Sequence, residues 1–276
     1  MKLIFSLIMA ISGWLPGLGD EPAIPEEIEK IDLNLTDNEY AMTFFALDQG
    51  DAAIIQGKDS TILINTGPAT ASAELKAWLT LYDVKKIDAV ILTKTAENLP
   101  DIVADYDVTR VIAGKKMQED VSSVLSDFPE VEINSWSLEQ SKEMVMDGIE
   151  ISVVHENDTE GSELDLSIKI QDKQLLYLTS SSEELKNKLM KLDASGIHLI
   201  KAPIKGLSFD VAKHLDPQAV ILYERYEKKA EKEMIQKFHE LWIEVFNTAE
   251  QGTVTAKFTE NNHEIFPIKN FVHTKN

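Results

Sequence analysis

Leu92-Thr93-Lys94-Thr95-Ala96-Glu97-Asn98-Leu99 follows an apolar run, residues 87–92, that reads as a buried strand. The eight residues contain no histidine, cysteine or aspartate, and no histidine occurs anywhere between Met1 and Val154. More than half of the chain therefore offers no imidazole for a metal ion or for acid–base chemistry.

Upstream, short apolar runs at 42–47 and 52–56 are separated by Asp48-Gln49-Gly50-Asp51. A third run, 61–64, follows the turn Gly57-Lys58-Asp59, so the domain opens with a β-meander. Leu75, Trp78, Leu79 and Tyr82 have helical spacing, with Thr70 or Ser72 as candidate caps. Downstream, strands are expected at 88–92, 108–113, 131–133 and 144–145, with helices near 100–106 and 118–125. The second half repeats the theme. Strands are expected at 149–154, 166–171, 175–179, 197–201, 219–223, 243–246, 254–258 and 264–268. Helices are expected at 183–192, 209–214 and 227–241, the last with Met234, Ile235, Phe238 and Leu241 on one face. Two β-rich halves with intervening helices predict a sheet-on-sheet core with helices outside.

The chain has 276 residues, 43% of them hydrophobic, enough for a packed core. Its 47 acidic and 27 basic residues give a formal charge of -20, which repels phosphate backbones, and no basic run offsets it. Nucleic acid is therefore an unfavoured partner. The absence of cysteine excludes disulfides, thiolate metal sites, cysteine nucleophiles and a lipoprotein anchor.

Residues 1–19 carry Lys2, an apolar stretch broken by Ser6, Ser12, Gly13 and Pro16, and the small residues of Gly17-Leu18-Gly19. This reads as a secretory signal cleaved before Asp20, with an N-terminal helix packed on the domain as the alternative. The stretch is too short and interrupted for a good membrane span, so no stable span is expected after its removal. Residues 20–39, with Pro22, Pro25, Glu26, Glu27 and Glu29, read as an acidic linker or short helix, and 40–270 as one domain with a short tail, 271–276.

Six segments, in order, resemble the metallo-β-lactamase superfamily and within it the extracellular domain of ComEC-type competence proteins. Phe45-Ala46-Leu47-Asp48-Gln49-Gly50-Asp51-Ala52 is similar to that branch's D-V-G-Q-G-D-A turn. Ile62-Leu63-Ile64-Asn65-Thr66-Gly67-Pro68 resembles I-L-I-D-x-G-P, and Ile87-Asp88-Ala89-Val90-Ile91-Leu92-Thr93 resembles I-D-x-L-I-L-T. Leu164-Asp165-Leu166-Ser167-Ile168 is similar to N-x-x-S-L-V, and Leu175-Leu176-Tyr177-Leu178-Thr179 to F-L-L-T-G-D. Ala202-Pro203-Ile204-Lys205-Gly206 stands where V-P-H-H-G-S would be. The resemblance implies an α+β fold: an αββα sandwich of two mixed sheets packed face to face, with outer helices and a metal cleft at one edge.

In that family an H-x-H-x-D-H loop holds two zinc ions that activate water. Carried over, its four ligand positions fall on Lys94, Ala96, Asn98 and Leu99. The bridging aspartate falls on Ser181, or on Ser180 or Ser182 in a shifted register. The later histidine falls on Ile204 or Lys205, the last one near Lys229, and the early aspartate has become Asn65. The loss of every ligand predicts a chain without metal cofactor and without the family's catalysis.

The six histidines, His155, His198, His214, His239, His263 and His273, do not pair at metal-ligand spacing and read as structural. Ser180-Ser181-Ser182 lacks a nucleophile elbow and reads as a helix N-cap before Glu183-Glu184. By the resemblance, Lys94, Lys205 and Lys229 converge on the former cleft, where their ammonium groups either pair with Asp48, Asp51 or Glu97 or bind a small anionic ligand. The expected function is an exported, non-catalytic binding or accessory module. Its partner is an unidentified protein or small anion. The alternative is a metal-dependent hydrolase, phosphodiesterase- or nuclease-like, with a rearranged site.

Overall fold

The computed structural model describes residues 30–137, 143–157, 163–223, 229–260 and 262–269, with the side chains of 229 and 230 undescribed. The segment read as a signal, residues 20–29, the tail and the Lys229 side chain lie outside the described residues. Among the described residues no helix is long and apolar enough to cross a membrane.

β1 (Tyr40–Phe44), β2 (Ala53–Gln56) and β3 (Thr61–Ile64) form the expected antiparallel meander. β4 (Ala89–Leu92), β5 (Arg110–Gly114) and β6 (Glu132–Trp136) extend it in parallel from β3. β14 (Thr253–Phe258) and β15 (His263–Ile268) add antiparallel strands beyond β1. The second sheet starts with the antiparallel strands β7 (Glu143–Met146), β8 (Ile149–Asn157), β9 (Glu163–Ile170) and β10 (Lys173–Tyr177). It continues in parallel through β11 (Ile197–Ala202), β12 (Ala219–Leu222) and β13 (Glu244–Asn247). The strand orders are β15-β14-β1-β2-β3-β4-β5-β6 and β13-β12-β11-β10-β9-β8-β7.

The alternation of side chains along each strand explains the two-faced core. Met42, Ala53, Ile55, Ile62, Ile64 and Ile91 enter the space between the sheets, where they meet Leu166, Ile168, Leu175 and Leu199. Ile54, Leu63 and Val90 point the other way, into an apolar layer built by α1 (Ser72–Leu81), α2 (Leu99–Tyr106) and α3 (Gln118–Val124). Leu176, Ile200 and Val220 are likewise covered by α4 (Glu183–Leu189), α5 (Phe209–Leu215) and α6 (Lys229–Glu240). Burial on both faces is why the central strands read as continuous apolar runs rather than alternating ones. Each such Leu, Ile or Val withdrawn from water contributes about 1.5–3 kcal/mol. The expected αββα sandwich of two mixed sheets with outer helices is the observed architecture.

Two local expectations need correction. Neither Thr70 nor Ser72 caps α1: a 3-10 turn over Ala69–Ala71 leads directly into the helix, and Ala71 occupies the cap position. Thr70 Oγ1 instead donates to Gln49 Oε1 at 3.2 Å, and Ser72 Oγ to Asp101 Oδ2 at 3.0 Å. The second concerns the acidic segment. Its last ten residues lie on the domain: Ile31 N–H donates to the Leu81 carbonyl at 2.8 Å, and Ile31 and Leu33 pack against the helix-covered face of the first sheet. Lys257 Nζ donates to the Leu33 carbonyl at 2.9 Å. Their apolar side chains gain more by covering that face than by staying in water.

Candidate functional site

The carboxyl ends of β3, β4, β10, β11 and β12 point to one end of the sandwich, the place where sheets with parallel strands usually hold their chemistry. β3 delivers Asn65, β4 delivers Thr93 and Lys94, β10 delivers Tyr177 and Thr179, β11 delivers Lys201, and β12 leads to Tyr223. Asp51 enters from the β1–β2 loop. Gly50 allows this loop its shape: its φ is +74°, and a Cβ there would stand 2.6 Å from Pro68 Cδ.

Asp51 is the centre of the arrangement. It is buried, and its two oxygens take separate cations: Oδ1 pairs with Lys94 Nζ, and Oδ2 lies 2.5 Å from Lys201 Nζ. Oδ2 also accepts from Tyr177 OH at 2.6 Å and from Asn65 Nδ2 at 3.2 Å. Lys201, with a side chain 3% exposed, lies 4.0 Å from the ring centres of both Tyr177 and Tyr223, a cation–π sandwich. Lys94 is 24% exposed and closes the mouth of the site, 5.2 Å from the Tyr223 ring.

Asn65 holds the second ring of bonds. Its φ is +60°, a left-handed conformation that asparagine tolerates better than most residues. Its Oδ1 accepts the Thr93 backbone N–H at 2.8 Å, and its Nδ2 donates to Thr93 Oγ1 at 2.8 Å. Thr93 Oγ1 in turn lies 2.9 Å from Thr179 Oγ1, a bridge from the first sheet to the second. An aspartate at position 65 would set a second carboxylate against Asp51; the amide supplies a donor instead.

Burial by itself would raise the Asp51 carboxyl, but the charges of Lys201 and Lys94 and their hydrogen bonds outweigh it and hold it well below the usual carboxylate range. Burial lowers Lys201 to about 8; Asp51 opposes the shift and Lys94 adds to it. Burial and the neighbouring Asp51 charge push the Tyr177 phenol well above its ordinary value. Asp51 is thus a poor general base near neutral pH, where an effective one has a pKa close to the working pH.

Of the positions carried over from the metal loop, Lys94 alone joins this network. Ala96 and Leu99 are buried in the apolar cluster between the first sheet and its helices. Asn98 is buried at the start of α2, with Nδ2 donating to the Thr66 carbonyl at 2.9 Å. Asp48 is exposed, with its backbone N–H donating to Glu74 Oε2, and Glu97 is exposed. Ser181 is exposed. Lys205 is exposed on the 203–206 turn rather than in the cleft; the buried lysine is Lys201. Lys201 follows Leu199 by two residues, so strand alternation aims both into the space between the sheets. A lysine in register with an inward leucine was the signal available in the sequence.

A second buried network lies beside the first. Asp165 Oδ1 accepts the backbone N–H groups of Thr179 (2.7 Å) and Ser180 (3.0 Å). Its Oδ2 accepts Ser180 Oγ at 2.6 Å and lies 2.9 Å from His155 Nδ1. Ser180 Oγ donates to the carboxylate, and its 3.5 Å approach to His155 is to Nδ1, the nitrogen already turned to Asp165, so it lacks the serine–histidine geometry of an activated nucleophile. Ser182 caps α4, its Oγ accepting the Leu185 N–H at 3.0 Å.

No family model and no curated protein matches the chain. Solved structures do. The metallo-β-lactamase fold protein YhfI from Bacillus subtilis is similar with a TM-score of 0.59 at 10% identity, over 79% of this chain and 99% of that one. The fold is that of the metallo-β-lactamases. The diiron β-hydroxylase CmlA from Streptomyces venezuelae is also similar, with a TM-score of 0.53 at 11% identity, over 84% of this chain and 55% of that one. At such identities the likeness establishes architecture and leaves chemistry to the residues of the site.

Proposed function

We propose that this chain is a non-catalytic member of the metallo-β-lactamase fold, of ComEC-like ancestry, acting outside the membrane as a binding or accessory module. The observation that carries the reading is the seating of two ammonium groups, Lys94 and Lys201, on the two oxygens of Asp51 at the strand ends. Ammonium groups neutralise a carboxylate as cations do, but they offer no open coordination position for water. Asp51, Asn65, Thr93 and Tyr177 spend their polar atoms on one another. The residues present do not fit a dinuclear metal centre: two of the loop positions are apolar and buried, and a third carries a positive charge. The export part of the reading rests on residues 1–19 of the sequence. A small anion or a protein surface is the partner class, Lys94 being the charge nearest solvent.

The test is turnover of phosphodiester and β-lactam probes by the full chain, with and without added zinc or manganese. Background rates in every condition are expected. Hydrolysis that a chelator abolishes and that Asp51→Ala removes would establish the hydrolase alternative.

A further inference from the structure

His198 and His263 come from opposite sheets and meet away from the cleft. His198 is near the start of β11, whereas Lys201 is near its end; His263 opens β15. Their ring centres are 5.7 Å apart, with planes at 90°. His198 Nδ1 lies 2.6 Å from the Gly196 carbonyl oxygen. A carbonyl only accepts, so Nδ1 carries a proton and Nε2 of the neutral ring keeps its lone pair. His263 is held by stacking on Phe258, ring centres 6.0 Å apart at 26°, and its Nε2 is buried with no partner in the protein.

We propose that His198 and His263 form a divalent transition-metal site, taking zinc, nickel or copper(II) between one imidazole nitrogen of each, with water completing the coordination. A tetrahedral ion about 2.0–2.1 Å from a nitrogen of each ring sets the ring centres roughly 5 Å apart, so the observed spacing needs only a small closure. The Gly196 carbonyl behind His198 is the outer hydrogen bond that such ligands use to fix their tautomer and orientation. Asp172, whose charge acts on His263, pairs with Lys173 at 2.8 Å. Among the described residues no three His, Asp or Glu side chains are grouped as a metal site, so two imidazoles carry the binding and the affinity is modest.

Calorimetric titration of the tag-free full chain with zinc is the test. One ion per chain is expected, with His198→Gln and His263→Gln each weakening binding at least tenfold. Lys205→Met, on an exposed turn elsewhere, leaves it unchanged. Absence of binding, or binding that survives both histidine substitutions, overturns the proposal. Chemical modification of the unaltered chain by diethylpyrocarbonate gives an independent reading that needs no variant to fold. Zinc protects His198, whose Nε2 is left free by the bond from Nδ1 to Gly196, if the site exists, and modification of His198 that zinc does not slow overturns it. An ion held in the cleft would respond to Asp51→Asn and not to the histidine substitutions, so this proposal and the reading of the cleft fail separately.

Discussion

Lys201 Nζ, on a strand of the second sheet, lies 2.5 Å from Asp51 Oδ2, on a loop of the first, and both side chains are 3% exposed. Removing one member of a buried ion pair leaves the other charge uncompensated, at a cost of about 3–5 kcal/mol. Asp51→Asn leaves two ammonium groups facing each other and is expected at the top of that range. Lys201→Met, which leaves Lys94 on the carboxylate, falls at or below the bottom. Lys94→Met, at the rim, costs about 1 kcal/mol, and Lys205→Met changes stability by less than about 0.5 kcal/mol. Urea unfolding of the four variants gives the ranking; a large effect at Lys205 would mean the network is wrongly assigned.

Asn65→Asp is nearly isosteric but replaces a donor to Asp51 by a like charge. It is expected to destabilise by about 1–3 kcal/mol at pH 7, through the lost hydrogen bond and the repulsion. The loss shrinks on acidification as a carboxyl takes up a proton. A constant loss between pH 7 and pH 4 would contradict this account.

The cluster has a signature in alkaline solution. Lys201 titrates at about 8 in the folded chain and near 10.5 when unfolded, so between those values the unfolded state binds more protons and stability rises with pH from this group. The stability of the parent chain relative to Lys201→Met should therefore increase from pH 8 towards pH 10. Asp51 acts at the other end: its folded value is depressed, so its contribution is present above the ordinary carboxylate range and is lost as pH falls below it. Matched unfolding curves of parent and variant across pH 3 to pH 10 check both limbs.

Asp165 accepts four hydrogen bonds in a buried site. Asp165→Ala orphans the Thr179 and Ser180 amides together and is expected to cost at least about 3 kcal/mol, against about 1 kcal/mol for Ser180→Ala. Amide hydrogen exchange at Thr179 and Ser180 should accelerate in the first variant and change little in the second.

Trp242 follows α6 with φ +63° and is 94% exposed. An aromatic residue in the left-handed region with almost no contact area to offset the strain is a place for glycine. Trp242→Gly is expected to raise stability by about 0.5–1 kcal/mol, read as an increase in the urea midpoint. A lower midpoint would show that the indole contributes packing in spite of its exposure.

The elements were legible because their signals are local and repeated. The runs around Ile54, Leu63, Val90 and Val220 are buried on both faces, and the 3.6-residue spacing of Leu75, Trp78, Leu79 and Tyr82 marks α1. The candidate site was legible only in part. Asp51, Asn65 and Lys94 sit at strand ends beside turn residues, and the sequence marks such places. Lys201 and Tyr177 reach Asp51 only through the pairing of β10 with β11 and the packing of one sheet on the other. Lys205 occupies a motif position, yet the turn at Gly206, where a Cβ would stand 2.8 Å from the Ser180 carbonyl oxygen, leaves it exposed. His198 and His263 stand far apart in the sequence, and their approach is fixed by sheet-to-sheet geometry alone.

The positive charges that face Asp51 are attached to the backbone. A dissociable ion leaves its pocket empty whenever the surroundings are poor in it, and the carboxylate that held it must then find another counter-charge. Tethered ammonium groups arrive with folding and stay for as long as the chain is folded. This end of the sandwich therefore keeps one shape from metal-starved to metal-rich surroundings.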